Sequence, residues 1–466
     1  MVITDNRANE VKIAYIGGGS RGWAWGLMSD LAEEKSLSGE IYLYDIDAEA
    51  ARHNEIIGNK IPEYYPDCAR WKYRQVPTLE DALKNADFVI VSILPGTFEE
   101  MGYDLELPQK YGILQPVGDS TGLGGIVRSL RTIPMFREIA LAVEKFCPEA
   151  YVINYTNPMT VCIKTLYEVF PNIRAVGCCH EVFGTQKLLA QAYEKYTGTE
   201  IDYEEVEVEV SGVNHFTWLT RAFYKNEDLM PYYRRLAAEY AATGYEKGKD
   251  DNWMNSVFDC AHRVKFELFN RFGSIAAAGD RHLAEFCPRQ WFLLNDGQIR
   301  DWKFSTTSVE WRKKDLTERL KKSEELMSGV RPFEIKETGE VGVRMIKSLC
   351  GIDAFRTNVN MVNKGQLPCA KKGAVVETNA YFSGIGMEPI VSVSELPPAV
   401  TAMVNRVIDI QEMVVAAGLR GDRRLAFQAF CLDPMNTLTL EQSETLFNEM
   451  IDRTKKYLPK SFWEKI

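Results

Sequence analysis

Several short segments of this chain carry side chains able to do chemistry. Gly177-Cys178-Cys179-His180-Glu181-Val182-Phe183 offers thiols and an imidazole, and Gly212-Val213-Asn214-His215-Phe216 offers a second imidazole. Such groups are good ligands for a divalent transition metal. Near the start, Gly17-Gly18-Gly19-Ser20-Arg21-Gly22 satisfies G-x-G-x-x-G. Glycines at that spacing permit a tight turn and close approach to a pyrophosphate, which rests on the N-terminus of the next helix. A nicotinamide beside a metal suggests hydride chemistry on a hydroxyl group. Taken singly, a strand ending in cysteines also fits a protein core. Cys179 and His215 lie far apart in sequence, so the fold must bring them together.

The glycine turn has the context it needs. Val11 to Ile16 reads as a buried strand before it, and Arg21 to Glu34 as a helix after it. Gly17, Gly19, Ser20 and Gly22 form the expected cofactor cradle. Asp45 ends a second strand, where a carboxylate binds ribose hydroxyls and disfavours a 2′-phosphate, so NAD is expected over NADP. Asn154, in Asn154-Tyr155-Thr156-Asn157-Pro158-Met159, could orient a nicotinamide carboxamide or a sugar hydroxyl; for Asn157, a polar helix cap before proline is an equal reading. In Gly279-Asp280-Arg281-His282, Asp280 could be a general base and Arg281 a carboxylate clamp. A salt-bridged surface loop is the alternative there. His53 and His262 sit within helical segments and read as structural.

The elements that must position these groups alternate. Ile41 to Asp45, Asp87 to Leu94, Tyr151 to Tyr155 and Ile173 to Gly177 continue a series of apolar strands. Strands alternating with helices indicate a parallel, doubly wound Rossmann-type sheet with right-handed crossovers. Between Pro95 and Ile133 runs a glycine-rich connection centred on Gly118-Asp119-Ser120-Thr121-Gly122-Leu123-Gly124-Gly125. Its length and its place after a strand predict an active-site loop. Beyond Thr185, Glu204 to Tyr224 reads as strand and Met254 to Phe272 as helix, with Val257, Ala261, Val264 and Leu268 on one stripe. Lys372 to Tyr381 reads as a further strand, and the chain from Pro398 onward as mainly helical. The expected division is an NAD-binding domain over 1–184 and an α+β substrate- and metal-binding lobe over 185–466.

Composition excludes several classes. A chain of 466 residues is too long for one compact core, so two or three packed lobes are expected. Its net charge of −10 argues against a nucleic-acid binder. The ten dispersed cysteines are no disulfide scaffold and fit a reducing cytoplasm. Met1 to Glu10 carries no apolar signal core, and no apolar run is long enough to span a bilayer. A cytoplasmic homo-oligomer, dimer or tetramer, is the expectation.

Together, the glycine turn, INYTNPM at 153–159, CHEV at 179–182, GVNHF at 212–216 and GDRH at 279–282 resemble glycoside hydrolase family 4, the NAD- and manganese-dependent glycosidases. The likeness covers nearly the whole chain. Its Cys179-His180-Glu181-Val182 resembles the version found in α-galacturonidases, as do the longer runs CCHEVFGTQKLLA and GDRHLAEF. The resemblance implies a two-lobed fold like that of lactate and malate dehydrogenases, with Mn²⁺ held by Cys179 and His215. It implies Asp280 as base and either Asp119 or His180 as acid. Asn154, Glu181, Arg281 and His282 are the expected substrate residues, with Arg281 reading a uronate and Arg128 or Arg131 as substitutes. The implied reaction is hydrolysis of an α-galacturonide such as a pectin-derived oligosaccharide, by oxidation, elimination, hydration and reduction with no net use of NAD. Alternatives are another α-glycoside (a glucuronide or galactoside), a 2-hydroxy-acid dehydrogenase, or a non-catalytic NAD sensor.

Overall fold

Continuous apolar runs make the centre of the molecule, as expected of strands buried on both faces. The computed structural model describes residues 1–4, 6–246 and 260–464. Its strands are β1 (Val2–Thr4), β2 (Arg7–Ile16), β3 (Leu37–Tyr44), β4 (Trp71–Gln75), β5 (Phe88–Val91), β6 (Tyr151–Asn154) and β7 (Arg174–Gly177). They continue as β8 (Val206–Val213), β9 (Phe216–Tyr224), β10 (Glu227–Asp228), β11 (Ile275–Ala276), β12 (Phe355–Val362), β13 (Val375–Ser383) and β14 (Gly386–Pro389). Strands β4-β3-β2-β5-β6-β7 are parallel in that spatial order, the order of a dinucleotide-binding sheet. The Rossmann-type α/β expectation therefore holds. Successive residues point to opposite faces: Ile13 and Tyr15 join the core on one side, Ala14 and Ile16 the core on the other.

The sheet does not stop where the first half of the sequence does. β12 pairs antiparallel with β7 through Asn360 and Gly177, and β13 and β14 follow antiparallel, so residues from beyond 355 extend the same sheet. A boundary at 184/185 thus runs beside a strand whose neighbour comes from the second half. A second, four-stranded antiparallel sheet holds β8 to β11.

Two local readings change. The stretch Glu204 to Tyr224 is a hairpin rather than one strand: β8 and β9 pair from Val206↔Tyr224 to Val213↔Phe216, and Asn214-His215 is the turn. The long connection after Pro95 is largely helical, as Phe98–Gln109 and Gly122–Phe146. Its glycines serve packing: a Cβ on Gly124 would lie 2.4 Å from the Asp104 carbonyl oxygen. Of the expected 254–272 helix, Val257 lies outside the described residues; Arg263–Phe272 is helical with Val264 and Leu268 buried, and Ala261 precedes it. No helix among the described residues is long and apolar enough to cross a membrane.

Candidate active site

The glycine turn follows β2 beside β5, where the strand order reverses and open α/β sheets bind ligands. Gly17 has φ 91°, and a Cβ there would lie 2.0 Å from the Ser92 carbonyl oxygen, so only glycine fits. Asn54, held by Trp25 Nε1 at 2.9 Å, donates to the carbonyls of Gly18 and Ser20 at 2.8 and 3.0 Å. Gly19 N–H donates to Asp45 Oδ2 at 2.9 Å, placing the acid at the turn. The helix Trp23–Glu33 begins after Gly22 with no side chain capping its first N–H groups. Such an uncapped, glycine-lined N-terminus fits a pyrophosphate. Asn157 Oδ1 is buried without a partner among the described residues and could accept from a bound carboxamide. Asn154 is held in place: Thr156 N–H donates to its Oδ1 and its own Nδ2 donates to Thr156 O, both at 3.0 Å. These two bonds fix the amide in the turn after β6 and use half of its donor and acceptor capacity, so they do not exclude the expected ligand role.

Beyond the turn, ligand atoms of Asp119, His215 and His282 all lie within 4.8 Å of one another. His215 stands at the tip of the β8–β9 hairpin with φ 62°, and its ring centroid is 3.9 Å from that of His282, on helix Asp280–Phe286. Ser120 Oγ donates to Asp119 Oδ1 at 2.7 Å and stands 3.1 Å from His215 Nδ1. The loop carrying Asp119 is held by buried Glu285, which accepts from Val117 and Gly118 N–H at 2.7 and 2.9 Å. Burial alone would raise the Asp119 carboxyl, but His215, Arg128 and His282 pull it down to about 2. Burial lowers His215, and burial with neighbouring His215 takes His282 well below the ordinary imidazole range. A carboxylate beside two imidazoles is a donor set for a divalent cation.

The cluster differs from the expected Cys179–His215 pair. His215 belongs to it, but its companions are Asp119, expected as an acid, and His282, expected to touch substrate. The Cys179 thiol lies at the carboxyl end of β7 and touches Asn214, the neighbour of His215 in the turn. Burial, Glu377 and Glu181 hold that thiol in its protonated form. Glu377 in turn accepts from Asn358 Nδ2 at 2.7 Å and Asn214 Nδ2 at 3.4 Å, tying the hairpin tip to β12 and β13.

The remaining expected residues surround the cluster. Glu181 Oε2 accepts from Gly279 N–H at 2.7 Å and its Oε1 lies 3.5 Å from His282 Nε2, so it orients a ligand-bearing segment. His180 Nδ1 lies 2.9 Å from Glu340 Oε1. Burial works against the imidazolium, yet Glu340 raises it to about 9. Asp280 is fully buried and accepts from the N–H groups of Val264 and Lys265 at 3.2 and 3.1 Å, closing the start of helix Arg263–Phe272. Burial lifts its carboxyl to about 6, against Lys265. Arg281 Nη1 donates to Thr307 Oγ1 at 3.0 Å, with Glu181, Asp119 and Glu285 as its acidic neighbours. Arg131 is locked to buried Asp104, with Nη1–Oδ1 at 2.8 Å, and is unfit to read a substrate.

Comparison with known proteins identifies the family. Residues 12–195 match the family 4 glycosyl hydrolases, and 210–436 match the family 4 glycosyl hydrolase C-terminal domain. The chain belongs to that family. An alpha-galacturonidase of Thermoanaerobacterium saccharolyticum is 54% identical over 459 residues, 98% of each chain. The crystal structure of lplD from Bacillus subtilis has TM-score 0.90 and 48% identity, covering 95% of this chain and 100% of that one. The 6-phospho-beta glucosidase of Thermotoga maritima, solved with manganese, NAD⁺ and glucose-6-phosphate, shares the fold at TM-score 0.76 and 19% identity, covering 96% and 99%.

Sequence reasoning about this family 4 chain misses Glu340 and Glu377. Glu340 and Glu377 come from the second half, far from any motif. For Asn157 the sequence leaves cap and ligand as equal readings, and its buried oxygen without a partner among the described residues appears only in three dimensions.

Proposed function

We propose that this protein hydrolyses α-galacturonides, as found in pectin-derived oligosaccharides, with NAD⁺ and Mn²⁺ as resident cofactors. One observation carries the reading: a carboxylate–imidazole cluster with two buried histidines accompanies a dinucleotide turn in a chain 54% identical to an alpha-galacturonidase. Manganese and NAD⁺ accompany the Thermotoga maritima enzyme of the same fold. When bound, NAD⁺ would take up and return a hydride of the sugar while Mn²⁺ acts as a Lewis acid on its oxygens.

The chain's own residues then divide the work. His215, His282 and ionised Asp119 would hold the cation. Cys179, against the same hairpin tip, joins them on losing its proton, since the thiolate is the metal-binding form. His180, kept protonated by Glu340, donates to the glycosidic oxygen as it leaves. This role falls to His180 rather than Asp119, whose surroundings keep it ionised. Asp280 acts as a positioning residue, anchoring the segment that presents Arg281 and His282. Gly17, Gly19, Ser20, Gly22 and Asp45 cradle the dinucleotide.

The test is hydrolysis of α-galacturonide, α-glucuronide and α-galactoside, each with and without NAD⁺, Mn²⁺ and reductant. The expected result is galacturonide turnover that needs all three additions and leaves no net NADH. Net NADH without glycoside cleavage would instead mark a 2-hydroxy-acid dehydrogenase. His215→Ala and Cys179→Ser should each abolish metal-dependent turnover while leaving NAD⁺ binding intact; full activity of either under chelator sinks the metal assignment.

A further inference from the structure

Three guanidinium groups from separate elements feel the charge of Asp119. Arg128 comes from helix Gly122–Phe146, Arg281 from Asp280–Phe286, and Arg312 from the first turns of Val309–Ser328. Thr307 ties the third element to the others: its N–H donates to Pro116 O at 3.0 Å, and its hydroxyl accepts from Arg281 at 3.0 Å. Ser308 then caps the helix, accepting from Trp311 N–H at 3.1 Å, which fixes where Arg312 emerges.

The three are not equally satisfied. Nε and Nη2 of Arg128 each donate to Asn157 O at 3.3 Å. Arg281 has three acidic neighbours, Glu181, Asp119 and Glu285. Arg312 Nε, by contrast, is buried with no hydrogen-bond partner among the described residues. Besides Asp119, its acidic neighbour is Asp315, already held by Arg319 Nε at 2.7 Å. Burial drives the Arg312 guanidinium down to about 10; Asp119 opposes this, and Arg128 and Arg281 add to it. A buried donor edge with no acceptor is a costly arrangement unless a ligand completes it.

We propose that Arg312 reads the carboxylate of the uronic-acid substrate, offering it the unpartnered Nε edge as one arm of a bidentate pair. The inference rests on the α-galacturonide reading and adds the residue that discriminates acid from neutral sugar. A galactoside, with a hydroxymethyl group there, leaves the edge unpaired, and such unpaired polar groups discriminate strongly.

The experiment compares kcat/KM for p-nitrophenyl α-galacturonide and α-galactoside in the NAD⁺- and Mn²⁺-loaded enzyme, wild type and Arg312→Gln. The acid-over-neutral ratio should fall by about 30-fold or more, chiefly through KM for the uronide. Arg312→Lys should restore only part, because a point charge lacks the fork. An unchanged ratio in a variant with native melting temperature overturns the proposal. If Arg312→Gln does not fold, phenylglyoxal labelling of the wild-type holoenzyme, mapped by mass spectrometry, decides instead. Galacturonate but not galactose should protect Arg312, and absence of protection overturns the proposal. Failure of the underlying reading looks different: wild type would then prefer the neutral galactoside.

Discussion

Two glycine-rich segments start helices in this chain, and they do opposite things. After Gly22, helix Trp23–Glu33 begins without a side-chain cap, at the carboxyl end of β2. After Thr121, helix Gly122–Phe146 begins with two of its first donors already taken: Gly122 N–H reaches Asp433 Oδ2 at 3.1 Å, and Gly124 N–H reaches Gln115 Oε1 at 2.9 Å. Both have close-packed glycines and both lie beside the site. One helix start is left for an anion, and the other is closed by the protein's own carboxylate and amide. Glycine content alone therefore does not mark a ligand loop; the fate of the first N–H groups does.

The largest effects should separate the two. A Cβ on Gly17 meets the Ser92 carbonyl oxygen at 2.0 Å with φ 91°, and neither backbone can give way. Gly17→Ala should cost more than about 3 kcal/mol and erase the rise in melting temperature on adding NAD⁺. Gly124→Ala meets the Asp104 carbonyl oxygen at 2.4 Å, and should cost about 1–3 kcal/mol while keeping the full NAD⁺-induced rise. Loss of that rise in Gly124→Ala would break the distinction.

The first of these turns was legible because everything it needs is local: strand, glycines, helix and acid lie within Val11 to Asp45. Parallel strands β2, β3, β5, β6 and β7 were legible for a related reason, since burial on both faces leaves continuous apolar runs. The second turn misled because its partners, Gln115 and Asp433, cannot be read from glycine spacing. The hairpin tip was read as strand because its left-handed residue is His215 rather than glycine; Asn214 was the one local hint of a turn. Nothing local shows that β12 joins β7, or that His282 stacks on His215. Thr97-Phe98-Glu99-Glu100, a threonine three residues before a glutamate, is a local helix-start signal set among glycines and prolines.

A smaller, pH-dependent effect tests the closed end. Burial raises the Asp433 carboxyl from 3.8 to about 6, although Met435 and Gly122 N–H groups donate to it. The folded state thus holds this proton more tightly than the unfolded chain. Its stabilising contribution is complete below the unfolded value and is lost as pH rises through the folded one. Asp433→Asn removes the titration. Relative to wild type, the variant should gain on the order of 2–3 kcal/mol between pH 4 and 7, read by denaturant unfolding at each pH. A difference independent of pH would show that Asp433 is ionised throughout and that the helix start carries a fixed charge.

The smallest effect belongs to the helix that precedes the closed turn. Thr97 and Glu100 form a reciprocal cap: Thr97 N–H donates to Glu100 Oε2 at 2.8 Å, and Glu99 N–H donates to Thr97 Oγ1 at 3.1 Å. Glu100 is also paired with Lys456 at 2.8 Å, so it keeps a partner when the threonine is cut back. Thr97→Ala should therefore cost about 1 kcal/mol, the usual loss for a helix cap. Because these donors serve helix Phe98–Gln109 and not the dinucleotide, the variant should show an undiminished NAD⁺-induced rise in melting temperature and an unchanged KM for the glycoside. The opposite pattern, native stability with weakened NAD⁺ or substrate binding, would mean that this stretch works as a ligand loop after all. The contrast between an open and a closed helix start would then have to be redrawn around Thr97.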